Sequence, residues 1–211
     1  MSDLEIGGPR SVPSGESLRT LVGEPPVERA DAARNRAKVL AAAARLFRER
    51  GVDDVSMDAV AAAAGVGKGT LFRRFGDKSG LAAALLDERE RELQGAILSG
   101  PPPLGPGAPA GERLTAFVDA YLDYLFGHLD LLRMSETSSP GARYRIGAYR
   151  FWRLHVAILL AEARPGCDAD PLAHALLAPL AADHMTALAA GYGEARAREA
   201  VRALVLGHGR G

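Results

Sequence analysis

The stretch Val55-Ser56-Met57-Asp58-Ala59-Val60-Ala61-Ala62-Ala63-Ala64-Gly65-Val66-Gly67-Lys68-Gly69-Thr70-Leu71-Phe72-Arg73-Arg74-Phe75 decides how the rest of the chain is read. It predicts two short helices, Met57–Ala64 and Lys68–Phe75, joined by a tight turn, with Ser56 as N-cap of the first. Helices that cross steeply need small residues where their backbones approach, and Ala61 and Ala64 supply them. The turn needs a positive φ, which Gly65 adopts without steric cost. Val60, Val66 and Leu71 are placed to fill the small core beneath. The second helix opens on short or polar groups (Gly67, Lys68, Gly69, Thr70), so its end can sit deep in a major groove. Arg73 and Arg74 follow for phosphates or base edges. This pattern is a helix-turn-helix; an alanine-rich corner of two helices with no nucleic-acid role is the plainer alternative.

The flanks decide between them. Val39, Ala42, Ala43, Leu46, Phe47 and Arg50 recur at helical spacing, and Gly51 stands where a C′ glycine ends a helix. Asp77 is placed to cap a longer helix over Lys78–Ser99. From Arg34 to Leu86, the runs Ala44-Arg45-Leu46-Phe47-Arg48-Glu49-Arg50-Gly51, Asp58-Ala59-Val60-Ala61, Ala64-Gly65-Val66-Gly67-Lys68-Gly69-Thr70-Leu71-Phe72 and Phe75-Gly76-Asp77-Lys78-Ser79-Gly80-Leu81 resemble the tetracycline-repressor (TetR) family of bacterial regulators. The resemblance implies an N-terminal three-helix DNA-binding unit, a variable helical ligand-binding and dimerisation domain, and a homodimer on a palindromic double-stranded DNA operator, released by a small-molecule effector. Carried over position by position, it implies a DNA contact set of Arg34, Ser56, Gly67, Lys68, Gly69, Thr70, Phe72, Arg73, Arg74 and Lys78. Ser56 would bond a phosphate, and Lys78 would neutralise one at the start of the fourth helix. Three positions depart from the family: Phe72 stands where Tyr is usual, Arg74 where a second aromatic is common, and Gly67 where Ser is frequent.

Outside this unit the pattern stays helical, giving an all-α chain of about nine helices. Residues 1–28, rich in Gly, Pro, Ser and Glu, read as a disordered tail. Residues 29–80 form the helix-turn-helix domain, and residues 81–211 the ligand-binding and dimerisation domain. The run Gly100-Pro101-Pro102-Pro103-Leu104-Gly105-Pro106-Gly107-Ala108-Pro109 forbids helix and reads as a linker or long loop. Further helices are predicted over 112–133, 142–163 and 171–190, with Pro171 as first residue of the last of these, and over Glu194–Leu206. Ser139-Pro140-Gly141-Ala142-Arg143-Tyr144 and Phe151-Trp152-Arg153-Leu154-His155 are similar to an actinobacterial-type branch of the family.

The 211 residues carry 26 Lys+Arg and 26 Asp+Glu, so the chain is not globally basic. Residues 29–80 nevertheless hold an excess of five basic groups, the balance of a DNA-binding module attached to a domain with another role. A single cysteine, Cys167, allows no internal disulfide, and no secretory or membrane-length apolar run is present, so a cytoplasmic protein is expected. No Ser/His/Asp order, paired carboxylates or glycine-rich phosphate loop points to an enzyme, and no cofactor is expected. The five histidines lack the close spacing of a metal site.

Polar and aromatic residues interrupt the apolar stripes of the second domain. Tyr121, Tyr124, His128, Tyr149, Trp152, His155 and His184 are the candidate effector-pocket residues, although each alone suits a core ring with a satisfied polar tip. Leu172, Leu176, Leu180, Leu188, Val201 and Leu204 are the candidate dimer face, because the family resemblance implies pairing of the last two helices across a two-fold axis. Intramolecular core is the alternative for them.

Overall fold

The structure, a computed structural model, describes Leu18 and residues 30–207. All regular structure in the described residues is helical, as eleven α-helices and one 3₁₀ turn. Helix α1 (Ala30–Arg50) buries the stripe Val39, Ala43, Leu46 and Phe47, and ends at Gly51, whose φ of +83° lets its N–H return to the Phe47 carbonyl. Helix α2 (Met57–Ala64) starts where the Ser56 hydroxyl accepts from the Ala59 N–H at 3.1 Å. It ends at Gly65 in the left-handed region, φ +65°. Helix α3 (Lys68–Phe75) buries only Leu71 fully. Helix α4 (Lys78–Ser99) is capped by Asp77, whose Oδ1 accepts from the Gly80 N–H at 2.8 Å. Gly80 is dictated by proximity, because a Cβ there would lie 1.9 Å from the Phe75 carbonyl oxygen at the end of α3.

Three long predicted helices are broken. The stretch 112–133 divides at His128 (φ −140°, ψ 26°) into α5 (Ala110–Gly127) and α6 (Leu129–Glu136). The His128 Nδ1 lies 2.9 Å from the Tyr124 carbonyl, so the ring satisfies an acceptor that the break would orphan. The stretch 142–163 divides at extended Ile146 into α7 (Ala142–Arg145) and α8 (Gly147–Ala163). The stretch 171–190 becomes α9 (Ala169–Leu177), a 3₁₀ turn over Ala178–Leu180, and α10 (Ala182–Tyr192). Pro179 is the cause: it has no N–H to continue the ladder, and its ring crowds the carbonyl four residues back. Pro171 is the third residue of α9 rather than the first. Helix α11 (Glu194–Leu206) is as the sequence predicts. The described residues thus hold eleven α-helices where about nine are expected, the surplus coming from these breaks.

Two cores result. The smaller joins α1 to α3 with Leu81 at the start of α4, and the larger joins α4 to α11. Helix α6 belongs to both: its Leu131 and Met134 pack on the smaller core, while Leu132 is buried in the larger. The Gly100–Pro109 segment is a looped corner between α4 and α5, with Leu104 packed partly against the larger core. The expected tail, residues 1–28, lies outside the described residues apart from Leu18, which is helical and 4% exposed within the larger core.

Leu71 is the one side chain that α3 buries completely, so it holds that helix on the domain. Leu71→Ala should destabilise the protein by about 2–5 kcal/mol, read by denaturant unfolding followed by circular dichroism.

Candidate DNA-binding surface and interior cavity

Helix α3 turns Gly67, Lys68, Gly69, Thr70, Phe72, Arg73 and Arg74 outward, all exposed, so the structure brings most of the predicted contact set onto one convex ridge. Lys68 Nζ pairs with Asp58 of α2 at 2.7 Å and lies 6.0 Å from the Phe72 ring centroid. Both partners are largely exposed, so the pair is weak and a stronger anion can replace it. Arg74 reaches back to the Ala32 carbonyl at 3.2 Å, on the exposed flank of α1 that also carries Arg34. Ser56 is exposed at the start of α2, its hydroxyl engaged in capping.

Lys78 is placed differently from the sequence expectation of a residue committed to phosphate. Its ammonium donates to the carbonyls of Val52 and Asp53, at 2.8 and 2.9 Å, and so ties the start of α4 to the α1–α2 corner. Arg133 of α6 grips the same corner through the Asp53 carboxylate at 2.9 Å. Arg36 of α1 pairs with Asp87 of α4 at 3.2 Å. The reading head is therefore fastened to α4 and α6 by named polar contacts as well as by apolar packing.

Those two helices also wall a cavity in the larger core. Leu86 and Glu90 of α4 line it, with Tyr121 and Tyr124 of α5, Leu132, Ser135 and Glu136 of α6, Arg143 and Ile146 at α7, and Ala148, Tyr149 and Trp152 of α8. Open space within it is about 10 Å³, roughly what one water needs. Tyr121 and Trp152 meet edge-to-face at 5.8 Å, as do Tyr121 and Tyr124.

A buried ion pair organises one side. Arg143 and Glu136, each 8% exposed in its side chain, are in direct contact. The other Glu136 oxygen accepts from the Ala182 N–H at 2.8 Å, and Arg143 donates to the Leu177 carbonyl at 3.1 Å. Burial lifts the Glu136 carboxyl above its usual range, opposed by Arg143 and the Ala182 amide. Glu90 is the second carboxyl. Its hydrogen-bond partner is the Tyr124 hydroxyl, which donates at 2.9 Å. Burial pushes Glu90 up to about 7, against the lowering effect of that hydrogen bond.

Of the predicted pocket set, Tyr121, Tyr124, Tyr149 and Trp152 line this cavity and three histidines do not. His128 occupies the α5–α6 break. His184 is exposed on α10. His155 is 1% exposed among Phe117 and Phe151, its Nε2 without a hydrogen-bond partner among the described residues. Desolvation, aided by Arg113, pulls it down to about 3, so it is a neutral core ring. An unfolded histidine binds its proton near 6.5, so acidification below that value works against the fold.

Glu90, Ser135, Glu136 and Arg143 escaped sequence reading. Glu90 had a legible signal, because it falls on the α4 stripe of Leu86, Leu93 and Ile97, where a solvated acid does not belong. Glu136 and Arg143 had none, since a Ser-Pro-Gly break separates them.

Of the predicted dimer face, Leu172 and Leu204 are exposed, and Leu176 and Leu188 are half-buried. Leu180 and Val201, at 0% and 2% exposure, fill this chain's own core and are not surface residues. Among the described residues no cluster of three His, Cys, Asp or Glu side chains could hold a metal, and no helix is long and apolar enough to cross a membrane.

Comparison with known proteins agrees with this geometry. Residues 39–85 match the profile of the bacterial regulatory proteins, tetR family. A helix-turn-helix-type transcriptional regulator of Staphylococcus aureus (strain USA300) is 47% identical over 53 residues, 25% of this chain and 29% of that protein. The match thus spans less than a third of the curated relative's length. Among solved structures, a TetR-family transcriptional regulator from Pectobacterium atrosepticum aligns at 25% identity with a TM-score of 0.56, covering 85% of this chain and 95% of that one. FadR of Thermus thermophilus, a TetR-family repressor solved with lauroyl-CoA, aligns at 22% identity with a TM-score of 0.58, covering 81% and 93%. The N-terminal domain belongs to the tetR family of bacterial regulatory proteins. The fold continues along most of the chain as that of solved TetR-family regulators.

Two variants test the cavity. Folded Glu90 keeps its proton to about pH 7, whereas an unfolded glutamate releases it near 4.5. Stability from this group is therefore complete at acid pH and lost as pH rises through 7. Glu90→Gln should leave stability nearly unchanged at pH 5 and raise it by about 1–3 kcal/mol at pH 8, read by urea denaturation at both values. Arg143→Met leaves Glu136 buried without its cation and should cost about 3–5 kcal/mol; adding Glu136→Gln should recover much of that loss.

Proposed function

We propose that this protein is a ligand-responsive transcriptional repressor that binds a palindromic DNA operator as a homodimer and is released by a small-molecule effector. One observation carries the reading. Two of the helices that wall the cavity, α4 and α6, also hold the α1–α2 corner, through Lys78 and Arg133. A change at the cavity therefore reaches the reading head through two short polar links rather than through loops.

In this mechanism the N-terminal end of α3 enters a major groove, with Thr70 and Lys68 at base edges and Arg73 on phosphate. Lys68 exchanges Asp58 for the nucleic acid. Arg34, Ser56 and Arg74 flank the groove, with Phe72 giving apolar contact in place of a hydroxyl. Gly67 and Gly69 present no side chain and let the backbone approach closely. Pairing through α9, α10 and α11, with Leu172, Leu176, Leu188 and Leu204 at or near the surface, doubles the phosphates neutralised and sets two ridges one helical turn apart. Effector entry moves α4 and α6, changes that spacing, and so shifts the dimer towards a form that cannot span adjacent grooves. The protein performs no catalysis in this role and works in the cytoplasm.

A mobility-shift assay with the DNA upstream of its own gene tests the proposal. A discrete complex that resists excess unrelated DNA is expected, and the absence of any sequence-preferring complex at moderate salt would falsify it. Thr70→Ala should reduce the preference for operator over unrelated DNA. Arg73→Ala should weaken both about equally and make the salt dependence shallower by about one phosphate contact.

A further inference from the structure

We propose that the effector is an organic cation carrying an aromatic or bulky apolar group, seated against the Tyr121, Tyr124 and Trp152 rings with the Glu90 carboxylate as its counter-ion. This deepens the effector reading above and rests on it.

The argument is one of charge accounting inside the cavity. Three charged side chains line it: Glu90, Glu136 and Arg143. Arg143 is committed, since it contacts Glu136, donates to the Leu177 carbonyl and lies 5.2 Å from the Tyr149 ring centroid. Glu136 is equally committed, to Arg143 and the Ala182 amide. Glu90 is left with one neutral donor, the Tyr124 hydroxyl, and no cation seated on it within the cavity. An anionic ligand would meet two carboxylates and a single arginine already engaged. A neutral ligand would leave Glu90 either protonated or ionised without a counter-charge. A cation completes the site: it gives Glu90 the partner that the protein withholds, and the ring faces supply the second attraction that such ligands use.

The groups facing Glu90 fit a seat that is closed when empty. Tyr124 and Tyr121 approach from α5, Glu136 from α6, Arg143 and Tyr149 line the far side, and Asp87 and Arg91 flank it on α4. Burial and the two acids hold the proton on Glu90, while Tyr124 and Arg91 oppose them. Without ligand, then, the carboxyl is substantially protonated near neutrality. A ligand of fixed positive charge must displace that proton. Between pH 6 and pH 8 the ionised fraction rises from roughly one tenth to nine tenths, so affinity should rise about tenfold. The present space admits only a water, so binding also requires the lining to move outward. Helix α7, a single four-residue turn between Gly141 and Ile146, is the shortest wall, and its Arg143 leads directly to Glu136 on α6.

Isothermal titration of the full-length, DNA-free protein with benzyltrimethylammonium, benzyl alcohol and benzoate, at pH 6 and pH 8, tests the inference. The cation should bind at least tenfold more tightly than either comparison compound, and about tenfold more tightly at pH 8 than at pH 6. Glu90→Gln should lose at least tenfold of the cation's affinity and all of its pH dependence, while Glu90→Asp should retain part of both. Because Glu90→Gln should be the more stable protein at pH 8, a loss of binding there is not a loss of fold. Preference for benzoate or benzyl alcohol, no binding of the cation, or cation binding indifferent to Glu90→Gln would each overturn the proposal. The operator shift assay uses protein without ligand, so an intact shift alongside any of those results leaves the repressor reading standing.

Discussion

The contact between Glu136 and Arg143 is the constraint on which the larger domain depends. Through one carboxylate and one guanidinium it holds four elements: α6 by Glu136, α7 by Arg143, the end of α9 by the Leu177 carbonyl, and the start of α10 by the Ala182 amide. One of these links satisfies the Ala182 N–H, which the break around Pro179 leaves without a helical partner. Removing two charges from water is costly, and a hydrophobic pair of similar volume would often be as stable or more so. What apolar residues cannot supply is direction. The planar guanidinium and the two carboxylate oxygens fix which helix ends meet, and at what angle.

That hub also links the cavity wall to the N-terminal unit. Helix α6 carries Glu136 at its C-terminal end and, one turn earlier, Arg133 on Asp53 and Leu131 and Met134 on the small core. Helix α4 repeats the arrangement over a greater length, with Lys78 at the corner and Glu90 at the cavity. Each helix thus carries short polar contacts to the corner at one place and to the cavity at another.

Legibility from sequence followed the range of the forces involved. The bounds of α2, α3, α4 and α11 were readable because their stop and start signals are local: Ser56 and Asp77 as caps, Gly65 as a left-handed end, Gly193 as a break. The divisions at His128 and Ile146 were not, since apolar periodicity continues through both and tertiary demands decide them. Pro179 lies inside a stretch whose apolar periodicity continues on both sides, which hides the break it makes. The cavity split along the same line. Its aromatic residues were legible as interruptions of apolar stripes, but the carboxylates are defined by partners distant in the chain. The histidines misled because composition does not distinguish a polar ring used as a ligand from one dehydrated in a core, as His155 is. Leu180 and Val201 misled likewise, since an apolar stripe does not say which molecule covers it.

The missing side chain at Gly80 sets a length standard for the whole assembly. With the Phe75 carbonyl 1.9 Å from where a Cβ would stand, α3 and α4 meet at a separation only a bare backbone allows. Any larger residue would have to open that joint by roughly 1 Å or more. In the two-fold assembly proposed above, the same displacement would occur in both protomers and add in the span between the two α3 helices. Variation at this one position would therefore act on the angle between α3 and α4 as well as on how firmly the protein folds.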